Sequence, residues 1–166
     1  MKKMYVVYGE IDSGKTHTMW LVLSYLLKKG ATLLEMYHVD APLSYEKIMN
    51  TKTRLPDFRA VMEWYGKKIM LLSAGDFLKH YYWGFRVHIE WAIKYKIDYV
   101  ICCARSRNRK GSVLRELLEV YRGTVLSDED WFFVEQRKAG ADWLLERDKI
   151  AIVIVSKLLS DIDKEN

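Results

Sequence analysis

The densest group of residues that could do chemistry lies near the start of the chain, at residues 9–16. Its sequence is Gly9-Glu10-Ile11-Asp12-Ser13-Gly14-Lys15-Thr16. Gly9 and Gly14 allow backbone conformations that are closed to other residues, so main-chain amides can approach an anion closely. Lys15 supplies a point charge for phosphate oxygens, and the hydroxyl of Thr16 is a ligand that Mg²⁺ accepts. These residue types predict a site for an anion with several oxygens, such as a phosphate group.

The elements around this segment agree with that chemistry. An apolar strand is predicted at residues 4–8 and a helix at 14–29, so the segment forms the turn between them. The positive end of the helix dipole then adds to the field that attracts the anion. Every fixed position of the pattern G-x-x-x-x-G-K-[ST] is present, and the segment resembles the Walker A loop of the P-loop NTPase superfamily.

The resemblance implies a fold and a set of contacts. The fold would be α/β, with three layers: a mostly parallel central sheet and helices on both faces. The bound groups would be ATP and Mg²⁺, with Lys15 acting in catalysis and Thr16 in metal binding. The residues that would surround the nucleotide are Gly9, Glu10, Asp12, Ser13, Gly14, Lys15 and Thr16.

Strands and helices alternate along the rest of the chain, which predicts a parallel sheet within one domain covering residues 1–166. Further strands are predicted at 32–39, 99–104 and 131–135, and helices at 77–96 and 113–121. A short helix or a loop is expected within 43–55.

Two segments are less regular. Residues 58–64 and 67–72 are separated by Tyr65-Gly66, which predicts a hairpin and is similar to the antiparallel strand of GTPase-like folds. Near the end of the chain, 151–155 is β-branched and would suit a strand. Apolar residues at intervals of three or four across 144–162 favour a long C-terminal helix instead, and this is our prediction.

The resemblance also implies a carboxylate for magnesium, at the end of a nearby apolar strand. Asp76 follows the apolar run 69–72 by four residues and is the first candidate, although it could simply cap the next helix. Asp40 competes with it from the end of the strand at 32–39. It could bind metal, orient an incoming hydroxyl, or begin a turn before Pro42.

A basic loop at residues 105–110 directly follows a predicted core strand. Ligands of α/β folds bind at the carboxyl ends of strands, so Arg105 and Arg107 are candidates to stabilise charge on a transferred phosphoryl group. The alternative is a solvated loop without a role in catalysis.

The type of reaction is open between two hypotheses. A guanine-reading N-K-x-D motif is not found, so ATP is favoured over GTP. The small size favours a magnesium-dependent, kinase-like phosphotransferase with a small-molecule acceptor. The alternative is an NTP hydrolase that serves as a switch on a protein or nucleic-acid partner. Aromatic residues between basic ones could stack bases, although such helices more often bury their aromatics in the core: Tyr81, Tyr82, Trp83, Phe85 and Trp91.

The bulk composition limits the remaining choices. The chain has 166 residues and a formal charge of +5, which permits a nucleic-acid partner but does not require one. Cys102 and Cys103 are adjacent in an apolar run, so they are expected to be reduced core residues. The four histidines show no zinc-like spacing with cysteine. No apolar run is long enough for a signal peptide or a membrane span, which predicts a cytoplasmic protein.

Overall fold

A seven-stranded sheet forms the centre of the protein in the computed structural model, which describes residues 1–11, 13–51, 54–75, 78–79, 83–136 and 142–166. The strands are β1 (Lys3–Gly9), β2 (Thr32–His38), β3 (Ala41–Pro42), β4 (Arg59–Trp64), β5 (Lys67–Leu72), β6 (Tyr99–Arg105) and β7 (Trp131–Phe133). Their spatial order is β3-β2-β4-β5-β6-β1-β7. The helices are α1 (Lys15–Lys28), α2 (Tyr45–Met49), α3 (Phe85–Lys94), α4 (Val113–Glu116) and α5 (Trp143–Glu165), with a π-helical turn at Leu117–Tyr121 and a 3₁₀ turn at Asp128–Asp130.

The prediction of a mostly parallel sheet is wrong, because the sheet is mixed. β5, β6, β1 and β7 pair in parallel, whereas β3, β2 and β4 pair antiparallel to one another and β4 pairs antiparallel to β5. The physical reason lies partly in the turn between β4 and β5. Tyr65 and Gly66 both have positive φ, at 50° and 73°, which reverses the chain tightly and makes the predicted hairpin. The hairpin prediction is therefore confirmed, and it excludes a uniformly parallel sheet.

Helices cover both faces of the sheet, and strand alternation explains how. Along β1, Tyr5 and Val7 pack into the cluster that includes α1 and α5, while Met4 and Val6 pack into the cluster that includes α3 and α4. Successive side chains of a strand point to opposite faces, so this one apolar strand contributes side chains to both cores. The loop that follows β1 begins at the carboxyl end of this strand, between the two helical layers.

The C-terminal segment is one long helix, as predicted. Its buried stripe contains Ala151, Val155, Leu158 and Ile162. The buried stripe differs from the predicted one in the first turns of the helix. Leu144 is half exposed there, and Arg147 is the residue whose side chain is buried.

The aromatic residues after β5 lie in two situations. Trp83 and Phe85 are buried, and the guanidinium of Arg59 stacks on Trp91 at 4.2 Å from the ring centroid. Tyr81 and Tyr82 lie outside the described residues. Trp83 and Phe85 are thus core residues, whereas Trp91 is only partly buried.

The two cysteines are buried and free, as predicted. They lie on the central strand β6, where Cys102 faces the α3 layer and Cys103 the α1 layer. Burial raises the pKa of the Cys102 thiol to about 12, so this thiol stays protonated. No helix within the described ranges is both long and apolar enough to cross a membrane.

A buried histidine on α3 makes folding stability depend on pH. His88 is 1% exposed, packs edge-on against Trp83, and has its pKa lowered to about 4 by burial and by the charge of Arg59. The unfolded chain binds a proton near the ordinary pKa of about 6.5, whereas the folded chain does not. The resulting stabilisation is complete above pH 6.5 and is lost as the pH falls towards 4.

We expect the free energy of unfolding to drop by about 3 kcal/mol between pH 6.5 and 4 because of His88. Urea denaturation of the wild type and of His88→Asn across this range measures the effect, since other groups contribute equally to both proteins. Parallel pH curves for the two proteins would show that His88 is not the cause.

Candidate functional site

The turn between β1 and α1 requires glycine for two structural reasons. Gly14 has a left-handed backbone, with φ at 94°, and immediately precedes the first residue of α1. A side chain at Gly14 would also collide with the guanidinium of Arg147. At Gly9, a Cβ atom would run into the main-chain carbonyl of Val134. The backbone here is therefore packed from behind by other segments, and it curves around the space in front.

The matched pair Gly14→Ala and Gly30→Ala tests this reading of the turn. Both glycines have nearly the same φ, at 94° and 95°, but no atom lies within 4 Å of a Cβ built at Gly30. Left-handed strain alone costs about 1–2 kcal/mol. We expect Gly30→Ala to lose about that much unfolding free energy in urea, and Gly14→Ala to lose at least ~1 kcal/mol more from the collision. Equal losses would contradict the collision expected between a side chain at position 14 and the guanidinium of Arg147.

In front of the turn lies a cavity of about 280 Å³. Its wall combines the turn itself, the start of α1, the segment before β4 and the residues just after β5. The lining residues are Ile11, Ser13, Gly14, Lys15, Thr16, Arg54, Asp57, Ser73 and Gly75. The hydroxyl of Ser13 is buried here and has no hydrogen-bond partner among the described residues. Polar groups of both signs and an unused hydroxyl are suited to a polar, charged ligand rather than an apolar one.

The ammonium of Lys15 is held across the turn. The residue is 9% exposed, and Nζ donates to the carbonyl oxygens of Gly9 at 3.1 Å and Glu10 at 2.7 Å. Because two main-chain carbonyls hold the ammonium, it stays close to the cavity that the Lys15 side chain lines.

A carboxylate that the sequence patterns did not single out meets Thr16. The Thr16 hydroxyl donates to Oδ1 of Asp57 at 2.7 Å, and the Ser73 hydroxyl donates to the same oxygen at 3.1 Å. The carbonyl oxygen of Asp57 lies 2.7 Å from Nδ1 of His38. Asp57 lies just before β4. The antiparallel pairing of β4 with β5 brings this position to the end of the sheet at which the turn lies.

Arg147 of α5 is the second residue that the sequence patterns missed. Its side chain is buried, stacks on Trp143 at 4.2 Å, and donates to the main-chain carbonyls of Ser13, Trp143 at 2.6 Å and Glu135 at 3.1 Å. The signal in the sequence was an arginine in register with the apolar stripe of the last helix. The guanidinium thus connects the turn, the end of the sheet and the C-terminal helix.

The same guanidinium affects its neighbour His17. Burial, and then the charge of Arg147, hold the pKa of His17 below its ordinary value. The imidazole is therefore neutral near pH 7 and lies edge-on to Trp143 at 5.9 Å. Although it directly follows Thr16 in the chain, His17 adds no positive charge to the cavity.

The structure places the other predicted residues as follows. Asp40 is exposed in the turn between β2 and β3 and does not line the cavity. Asp12 and Asp76 lie outside the described residues. Glu10 is exposed, and its carboxylate accepts a hydrogen bond from the Ser106 hydroxyl at 3.0 Å.

The predicted basic loop adjoins the turn but does not enter the cavity. Arg105 is aligned with Gly9 in the pairing of β6 with β1, and Arg107 is exposed beyond the end of the strand. Neither side chain lines the cavity, whereas Arg54 does. Among the described residues, the arginine that lines the cavity is therefore supplied by the segment before β4, while Arg147 contacts the turn from behind.

A magnesium ion held mainly by phosphate oxygens and water fits these residues better than a metal bound by protein alone. Within the described ranges, no three His, Cys, Asp or Glu side chains are grouped to hold an ion. The described cavity lining instead offers the hydroxyls of Ser13, Thr16 and Ser73 and the carboxylate of Asp57, which are hard oxygen donors. Mg²⁺ commonly keeps several waters and takes only one or two protein ligands beside a nucleotide.

Comparison with known proteins leaves the site to be interpreted from its own geometry. The chain matches no family model, no curated protein and no solved structure.

Proposed function

We propose that the protein binds a nucleoside triphosphate with Mg²⁺, ATP by preference, and transfers its γ-phosphoryl group to a small-molecule acceptor. One observation carries the proposal. The left-handed Gly14, the ammonium of Lys15 and the hydroxyl of Thr16 line a single cavity at the start of α1. Main-chain amides at a helix start, together with a lysine, form a site for an anion with several oxygens.

Each residue of the site has a distinct task in this proposal. The amides of the turn bind the phosphate chain, and Lys15 moves its ammonium from the carbonyls of Gly9 and Glu10 to phosphate oxygens. When bound, magnesium would neutralise charge on the phosphate chain, and Thr16 would be its protein ligand. Arg54 brings a guanidinium to the same cavity. Catalysis would thus come from positioning and from charge, without a covalent intermediate on the protein.

The base of the nucleotide is assigned by exclusion. The chain has no N-K-x-D sequence with which to read guanine, so the proposal names ATP rather than GTP. Competition between ATP and GTP for the same site tests this part separately from phosphoryl transfer.

Turnover followed by phosphorus NMR tests the reaction. ATP and Mg²⁺ are incubated with the protein alone and then with nucleosides, nucleotides and phosphorylatable metabolites in turn. A new phosphoester signal that appears with one acceptor, together with ADP, supports phosphotransfer. The Lys15→Ala protein, purified in the same way, shows how much turnover comes from contaminating enzymes. If ATP neither binds nor is consumed under any of these conditions, the proposal fails.

A second function is favoured by one specific contact. Arg147 joins the Ser13 carbonyl of the turn to the first turns of α5, so the turn and the C-terminal helix are in direct contact. This arrangement suits an NTP hydrolase that reports its nucleotide state to a protein or nucleic-acid partner. ADP and inorganic phosphate formed without any acceptor in the NMR experiment would favour this function over the transferase.

A further inference from the structure

Among the described residues that line the cavity, Asp57 is the only acidic one. It is half-buried, and its Oδ1 atom accepts two hydrogen bonds from hydroxyl groups on two different segments. A side chain held by two partners keeps one orientation. Asp57 is thus a fixed carboxylate beside the residue that would bind the metal of a nucleotide.

The bond from Thr16 orients the threonine oxygen as well. A carboxylate in its ionised form is purely an acceptor, so the proton of this 2.7 Å bond belongs to the Thr16 hydroxyl. The lone pairs of the threonine oxygen are then left for another group. Asp57 therefore prepares Thr16 to act as an oxygen ligand for a cation and adds negative charge close by.

Ser73 connects this carboxylate to the sheet. It is the first residue after β5, its hydroxyl donates to Asp57, and the amide of Phe58 donates back to the Ser73 hydroxyl at 2.7 Å. Ser73 therefore stands at the end of an apolar strand, where a metal-facing acid was expected. Because β4 runs antiparallel to β5, the segment before β4 reaches the same end of the sheet, and Asp57 in that segment supplies the carboxylate instead.

We propose that Asp57, rather than Asp76 or Asp40, is the carboxylate that faces the magnesium ion of bound Mg-ATP, and that Ser73 positions it. This inference rests on the proposed function, because it assigns one residue of the same site. It departs from the expected arrangement in a specific way: the acid comes from the segment just before the antiparallel strand β4 and not from the end of β5.

The test separates metal binding from nucleotide binding. Calorimetry measures ATP affinity with Mg²⁺ and with EDTA for the wild type and for Asp57→Asn, Asp76→Asn and Asp40→Asn. Electron paramagnetic resonance of free Mn²⁺ measures metal affinity of the ATP-loaded proteins, independently of turnover. Outer-sphere carboxylates typically contribute about 10- to 100-fold to metal affinity. We expect the Asp57→Asn protein to bind Mn²⁺ and Mg²⁺ about 10- to 100-fold more weakly than the wild type. Its affinity for ATP in EDTA should stay that of the wild type.

The other variants make the outcome decisive. Asp40→Asn should stay within about twofold of the wild type, and Ser73→Ala should lose part of the metal affinity because Asp57 is less well held. Should Asp57→Asn fail to fold, Ser73→Ala and Asp57→Glu carry the same comparison. A metal effect in Asp76→Asn with none in Asp57→Asn would overturn this inference alone. A wild type that does not bind ATP at all would overturn the proposed function and this inference together.

Discussion

Replacing Lys15 with alanine is expected to weaken ATP binding by about 2–3 kcal/mol, which corresponds to a loss of roughly 30- to 150-fold. The variant loses the ammonium that lies across the turn and the charge-assisted hydrogen bonds that it would make to phosphate oxygens. The left-handed Gly14 and its packing are unchanged, so the backbone at the start of α1 should stay in place. Calorimetric titration with Mg-ATP measures the loss.

Lys28→Ala is the matched control for this variant. Lys28 lies on the same helix, in its last turn, and is exposed. Its removal changes the net charge equally but leaves the cavity intact, so ATP affinity should remain that of the wild type. The melting temperatures of both variants show whether either is unfolded. Equal affinities for Lys15→Ala and the wild type, in folded proteins, would contradict the assignment of the site.

Replacing Arg147 with methionine is expected to lower the free energy of unfolding by about 3 kcal/mol. Methionine fills much of the space but donates no hydrogen bond, so the carbonyls of Ser13, Glu135 and Trp143 lose the charged donor that they share. The same change removes the contact that Arg147 makes with the turn from behind, so the affinity for ATP should fall as well. Urea denaturation and calorimetry on one preparation measure the two effects.

Lys149→Met serves as the comparison because Lys149 is exposed on the same helix, two residues further along. It introduces the same side chain and removes one positive charge, yet among the described residues Lys149 makes no hydrogen bond or ion pair with the turn or with the end of the sheet. Its stability should lie within about 0.5 kcal/mol of the wild type. If Arg147→Met is no less stable than Lys149→Met, the guanidinium does not hold the three segments together.

Arg147→Lys separates charge from geometry at this position. Lysine keeps the positive charge but offers a single nitrogen, which cannot reach carbonyls on three segments at once. We therefore expect a stability between those of the wild type and Arg147→Met. A fully restored stability would mean that charge alone matters behind the turn.

Local patterns predicted the elements of the fold well and its sheet less well. The hairpin around Tyr65 and Gly66 and the helix α5 depend on neighbouring residues, so turn chemistry and apolar spacing were sufficient to predict them. The direction of β2 beside β4 depends on where the chain crosses the sheet. Alternation of strands and helices along the sequence suggests parallel pairing but does not decide it.

The sequence by itself determined the turn at residues 9–16: its glycines, its lysine, its threonine and the strand and helix on either side. These features are contiguous, and their conformations follow from local sterics and from the start of a helix. Tertiary structure alone decided which groups surround the turn. Thr16 and Asp57 are 41 residues apart in the chain, and Ser13 and Arg147 are 134 apart. Such pairs meet only after the sheet has chosen its strand order and α5 has packed on α1, because no local propensity links residues at those distances.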